Sequence, residues 1–325
     1  MMSENYIYAV ARVRCKELTL LDSSVMDSLL AAGSYEECVR ILADHGWSSE
    51  GENSSPEAML ASEREKTWDF IGELTKDMSI FDVFLYANDY HNLKAAIKES
   101  FVHTEHPGVY IDKSQCTVDP EVIKKAIVEK EYDLLPEDMR QIAQETTDVL
   151  LHTGDGQLCD ILIDRAALIK IYESGKKTGN DILKLYGELT VASADIKTAI
   201  RANKTGKDIK FLERALAPCD SLDIKALAAA ANDDEDAIYS YLDRTVYADA
   251  IPEIKKSPSA FERWCDNRII RSIRPQIHNP ESIGPLAAFI LARENEIKSV
   301  RIILSGKLNH LSDESVRERV REMYV

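Results

Sequence analysis

Apolar residues recur at helical spacing along almost the whole chain, and the two-residue alternation of a half-buried strand is nearly absent. Ile7, Val10, Ala11 and Leu18 predict a first helix over residues 6–18. Ser23 or Ser24 is placed to cap a second helix through Leu30. Ser34 with Glu37 reads as a capping box for a third that ends near His45-Gly46. Residues 46–56 carry Gly, Ser and Asn up to Pro56 and read as a loop. A long helix follows over residues 57–76, with Met59, Trp68, Phe70 and Leu74 among its apolar positions. Ser79 stands as the cap of the next, with Phe81, Phe84 and Leu85 turned inward.

Residues 101–119 read as a linker with one β-prone patch, Val109-Tyr-Ile111. Asp119-Pro120 opens a new helical stretch, since proline is well suited to the first helical position. Over residues 157–172, Leu158, Ile161, Leu162, Ala166 and Ile169 share one side of a helix. Residues 174–180 (Ser-Gly-Lys-Lys-Thr-Gly-Asn) read as a turn, followed by helices over 181–188 and 191–203 and a second linker at 203–207. The last third predicts an Ala-rich helix over 224–231, an acidic helix start at 232–236 and a helix through Leu242. Another follows over 261–273, then a closing pair over 280–293 and 294–304, and a short C-terminal helix capped by Ser312.

One stretch repeats. Asn88-Asp-Tyr-His-Asn-Leu-Lys-Ala-Ala-Ile-Lys98 returns in part as Ala194-Asp-Ile-Lys-Thr-Ala-Ile-Arg201 and as Asn295-Glu-Ile-Lys-Ser-Val-Arg301. Leu93 and Ile196 are 103 positions apart, Ile196 and Ile297 are 101 apart, and Asp164 and Asp266 are 102 apart. This period predicts three helical modules, 1–108, 109–207 and 208–325, each a small domain rather than one turn of a solenoid. Leu93, Ile97, Ile196, Ile200 and Ile297 read as core residues of the repeat. Lys94, Lys197 and Lys298 share one aligned position. They are open to two readings: a ring of positive charge, or an ion pair or exposed helix face in each module.

Composition narrows the classes. Only 13 glycines and 10 prolines in 325 residues favour helix. A net charge of −16 argues against binding a phosphate backbone or adhering to anionic lipid, and permits a basic protein partner. The six cysteines form no C-x-x-C pair, and the start of the chain lacks a basic, then apolar leader. The longest apolar stretch, near 283–292, is about half the ~20 residues of a membrane helix. A cytosolic chain with reduced thiols is expected.

The candidate chemistry resolves into structural roles. His103 and His106 precede Pro107-Gly108, so a loop is expected rather than a metal-ligand pair. His91 aligns with Ala194 and Asn295, which favours packing or capping over catalysis. Ser174-x-x-Lys177 and Lys177-Thr-Gly179 share one lysine, unlike the separate elements of penicillin-recognising enzymes. Residues 203–207 lack the glycine spacing of a P-loop, and 233–236 lack that of an EF-hand. No catalytic residue, cofactor or metal ligand is expected.

With these residues placed, the chain resembles the C subunit of the prokaryotic V/A-type rotary ATPases, the counterpart of the d subunit of the eukaryotic V-ATPase. The resemblance is carried by Tyr8-Ala-Val-Ala-Arg-Val-Arg14, Asn88-Asp-Tyr-His-Asn-Leu-Lys94, Asp195-Ile-Lys-Thr-Ala-Ile200 and Glu294-Asn-Glu-Ile-Lys-Ser-Val-Arg-Ile302. The second copy has Ala194 in the neighbourhood that Asn92 occupies in the first, so an asparagine-based contact is not expected in every copy. The resemblance implies an all-α, funnel-shaped protein of three similar modules with pseudo-three-fold symmetry. It implies a non-catalytic central-stalk rotor adaptor on the cytoplasmic face of the membrane, without cofactor, nucleic acid or membrane insertion. Its partners would be the central shaft subunits and the membrane proteolipid ring, and it would transmit torque for ATP-coupled proton or sodium transport. A general all-α scaffold is the alternative. An all-α enzyme with a site between modules is a third reading, disfavoured by the lack of clustered His, Cys or acidic ligand motifs.

Overall fold

The computed structural model describes residues 6–47, 55–102 and 108–325, and all regular structure among them is helical. The expectations for the first five residues, for most of the 46–56 loop and for His103 and His106 lie outside the described residues. The α-helices are α1 (Ile7–Glu17), α2 (Ser23–Ala31), α3 (Tyr35–Asp44), α4 (Pro56–Gly72), α5 (Tyr86–Val102), α6 (Pro120–Val128), α7 (Glu137–Thr153) and α8 (Gly156–Lys177). They continue as α9 (Asp181–Lys204), α10 (Ile209–Ala215), α11 (Ile224–Asp233), α12 (Glu235–Leu242), α13 (Ile251–Lys256), α14 (Pro258–Ile273), α15 (Gly284–Leu308) and α16 (Asp313–Arg317).

Local chemistry sets most of the helix starts. Ser34 Oγ accepts from Glu37 N, while the Glu37 carboxylate accepts from Gly33 N at 2.7 Å, a capping box displaced by one residue. Ser55, Asp119, Ser257 and Ser312 each cap the helix that follows, three of them directly before a proline at the first helical position. The start of α2 differs from expectation. Asp22, not Ser23 or Ser24, is the cap, and its carboxylate accepts from Val25 N and complements the helix dipole.

Other expectations change for identifiable reasons. Ser79 opens a 3-10 segment, Ser79–Phe84, rather than an α-helix. Ser174–Lys177 belongs to α8 and is not a turn. Gly175 is a glycine because α9 crosses it: a Cβ there would lie 2.5 Å from the Leu183 carbonyl oxygen. The turn falls at Gly179, with φ +68°, and at Asn180, whose Oδ1 accepts from Ile182 N. The predicted pairs 181–188/191–203 and 280–293/294–304 are each replaced by one long helix, α9 and α15. Nothing in either sequence breaks the helix, and Gly187 inside α9 answers to close packing, its Cβ direction meeting the Ile171 carbonyl at 3.0 Å. The β-prone residues 109–111 form no strand; a side chain of α5 pairs with their backbone instead.

The chain divides into two compact units. One comprises Met1–Met78, Asn180–Ile182 and Pro252–Val325; the other comprises Ser79–Gly179 and Leu183–Ile251. In the first, α15 packs against α1, α2, α3, α4 and α14. Its core joins Leu21, Leu29, Leu42, Trp47 and Leu60 from the start of the chain to Ile297, Val300, Ile303 and Leu304 of α15. In the second, α5 packs against α6, α7 and α8, joining Leu93 and Ile97 to Ile123, Met139, Leu150 and Ile163. Each such fully buried aliphatic side chain contributes about 1.5–3 kcal/mol by leaving water.

Candidate functional site

The repeated stretch lies on α5, α9 and α15. Leu93, Ile97, Ile196 and Ile297 are buried and Ile200 is half-buried. The residue just before each aligned apolar position is Asn92, Asp195 or Glu296, and these are 0 %, 0 % and 1 % exposed. Each accepts a backbone N–H from a segment elsewhere in the chain. Asn92 Oδ1 accepts from Ile111 N at 2.8 Å, and its Nδ2 donates to Ile111 O at 3.0 Å. Asp195 Oδ1 accepts from Ala217 N at 3.0 Å, and Glu296 Oε1 accepts from Leu21 N at 2.8 Å. As expected, the asparagine contact itself is not shared by every copy: the donor half is lost with the amide, while a carboxylate keeps the acceptor half in the other two. In all three places the held segment leads into a helix capped by an aspartate, Asp119, Asp223 or Asp22.

The surroundings of these three joints differ. Around Asn92, Asp89 accepts from Thr117 N, Thr117 Oγ1 and Val118 N, and Asn88 Nδ2 donates to Gln115 O. His91 Nε2 lies 2.9 Å from Val109 O, so this ring anchors the same segment. At Asp195, Oδ2 is buried with no hydrogen-bond partner, and burial pushes the carboxyl up to about 7. At Glu296, burial raises the carboxyl to about 8, opposed by Arg293, which donates to Oε2 at 2.8 Å, and by Leu21 N. Arg293 also stands 5.4 Å over the Trp47 ring.

The aligned lysines have unlike partners. Lys94 on α5 donates to Asp164 on α8 at 2.5 Å. Lys298 on α15 donates to Asp266 on α14 at 2.9 Å, and Arg321 holds the other oxygen. Burial opposes the charge on Asp266, but these two cations outweigh it and keep its carboxyl below the ordinary value. Lys197 lines a cavity of about 820 Å³ together with Lys94 and Asp164.

The joint residues were readable in part. A polar acceptor directly before the aligned apolar residue in all three copies was the available signal, obscured because its identity changes from Asn to Asp to Glu. Among the described residues no group of three or more His, Cys, Asp or Glu is placed to hold a metal ion. Among the same residues, no helix is long and apolar enough to cross a membrane.

An all-helical chain whose long helices fasten distant segments through buried side-chain acceptors is a class that comparison with known proteins narrows to one family. Residues 9–319 match the family described as ATP synthase (C/AC39) subunit, and the chain belongs to that family. It is 22 % identical over 321 residues to the C subunit of the V-type sodium ATPase of Enterococcus hirae, covering 96 % of this chain and 97 % of that one. It is 24 % identical over 354 residues to the C subunit of the A-type ATP synthase of Methanocaldococcus jannaschii, covering 96 % of this chain and 85 % of the other. The corresponding C subunit of the A-type ATP synthase of Thermococcus kodakarensis is 21 % identical over 337 residues, 98 % of this chain and 91 % of that one.

Proposed function

We propose that this chain is the non-catalytic rotor adaptor of a V/A-type ATPase or ATP synthase. In this reading it joins the central shaft subunits to the membrane proteolipid ring and transmits torque for ATP-coupled proton or sodium transport. It sits in the cytoplasm, held at the membrane through the complex. Membership of the family over residues 9–319 is the observation that carries the reading.

The three recurring joints support the finer part. A coupling element has to keep its shape under load. Side-chain acceptors buried beside apolar cores hold segments 22 or more positions away at Asp195 and Glu296, and 19 away at Asn92. Breaking the joint at Asp195 or Glu296 leaves a buried N–H unpaired, at about 1–3 kcal/mol each. We read the sequence modules 1–108, 109–207 and 208–325 as three copies in a pseudo-three-fold, funnel-like arrangement. The longest helix late in each copy, α5, α9 or α15, fastens a segment of another copy, at Ile111, Ala217 or Leu21.

Co-purification tests the function. The chain should be retained by an immobilised shaft subunit and by a detergent-solubilised proteolipid ring at micromolar concentration. Retention by neither, where its relatives bind, would abandon the rotor reading in favour of a general helical scaffold.

A further inference from the structure

In a chain of net charge −16, one groove has the opposite sign. It lies in the unit formed by Ser79–Gly179 and Leu183–Ile251. The cavity of about 820 Å³ beside α5, α8, α9 and α10 shares Gln157, Ile161, Lys207 and Phe211 with a neighbouring one of about 520 Å³, so the two form one trough. Its basic residues are Lys94, Lys197, Arg201, Lys207, Lys210 and Arg214, against Asp155, Asp160, Asp164 and Asp208.

Those four acids are committed to the fold. Asp155 and Asp208 cap α8 and α10, accepting from Leu158 N and Phe211 N, and Asp160 and Asp164 pair with Lys98 and Lys94. The floor is apolar, with Ile161, Leu168, Ile171 and Phe211.

We propose that this trough is a docking surface for an acidic amphipathic helix of a partner protein. Lys197 and Arg201 stand one turn apart on α9 and Lys210 and Arg214 one turn apart on α10, with Lys207 on the segment that joins the two helices. An excess of basic side chains beside an apolar lining matches a helix with carboxylates on one side and aliphatic residues on the other. The remainder of the acidic surface repels acidic partners in general, so only a segment that matches the trough gains from approach. The proposal stands independently of the rotor reading, because it concerns this chain and one class of segment.

The test is fluorescence anisotropy on the intact chain with a labelled synthetic helical peptide, Leu on one face and Glu on the other. A scrambled peptide of the same composition is the control. Two variants carry equal charge change: R201E/R214E in the trough, and K225E/K255E outside it, both checked for native helicity by circular dichroism. Saturable binding of the amphipathic peptide is expected, weakened about tenfold or more by R201E/R214E, as for lost rim complementarity, and left within about twofold by K225E/K255E. Equal binding of the scrambled peptide, or equal loss in both variants, would overturn the proposal. Stoichiometric displacement of the peptide by inorganic pyrophosphate would also overturn it, in favour of a small-anion site.

Discussion

Replacing Asp195 by asparagine should remove a pH-dependent weakness from the joint on α9. The carboxyl accepts one backbone N–H, from Ala217, and its second oxygen is buried without a partner. Burial raises it from the ordinary 3.8 to about 7. The folded state therefore holds a proton that the unfolded chain releases over this window. Stability from this group is fully present below 3.8, falls as pH rises and is lost above about 7. At ~1.4 kcal/mol per tenfold change in proton affinity, the gap amounts to about 4 kcal/mol. Asparagine keeps the acceptor and cannot ionise. Urea unfolding of wild type and Asp195→Asn at steps from pH 4 to 8 isolates the effect, since other titrating groups cancel in the difference. The variant should gain about 4 kcal/mol relative to wild type between the two ends of that range, a change that any pH-independent cost of its new amide leaves untouched. Slowed hydrogen exchange at the Ala217 amide above pH 7 should accompany the gain. Parallel pH profiles, with a relative change under ~1 kcal/mol, would refute the reasoning.

Three other outcomes follow from the same structure. Gly175→Ala should destabilise by about 1–3 kcal/mol in thermal melts, because its Cβ would lie 2.5 Å from the Leu183 carbonyl oxygen, and overpacking outweighs the ~1 kcal/mol helix gain; a raised melting temperature would contradict the close-approach account. Glu296→Ala should cost about 1–3 kcal/mol in denaturant titrations, since it leaves the buried Leu21 N–H without its acceptor and takes one partner from Arg293, which keeps Thr19 and Glu63. Asp266→Asn should flatten the acid limb of the stability profile: the wild-type carboxyl, held low by Lys298 and Arg321, contributes stability above its ordinary 3.8 that is lost as pH falls through its lowered value.

Helix content and the existence of a repeat were legible because both rest on periodicity. Apolar spacing placed α1 closely and the end of α14, while the cap residues Ser34 and Asp119 marked the starts of α3 and α6. Glycine misled where it served contact between helices. Gly175 reads as a turn in sequence, and only the nearness of Leu183 shows that it admits a neighbouring helix. The partners of the repeat were hidden for a different reason. Nothing local to Asn92, Asp195 or Glu296 states that the bonded amides belong to Ile111, Ala217 and Leu21. The pairing of Lys94 with Asp164, 70 positions on, was equally out of reach, although the recurrence of both residue types was visible.

The joint between Glu296 and Leu21 also sets a timetable on the ribosome. Helices α2 to α4 present Leu29, Leu42 and Leu60 to a core completed by Ile297, Val300 and Ile303. Between the emergence of Gly72 and that of Leu308, about 10–50 s pass at roughly 5–20 residues per second. Early in the last part of that interval the second unit has all its residues, while the first still lacks much of the segment from Pro252 onward. A nascent chain released before α15 thus carries an uncovered apolar face at its beginning, the kind of surface that makes an incomplete chain prone to aggregate.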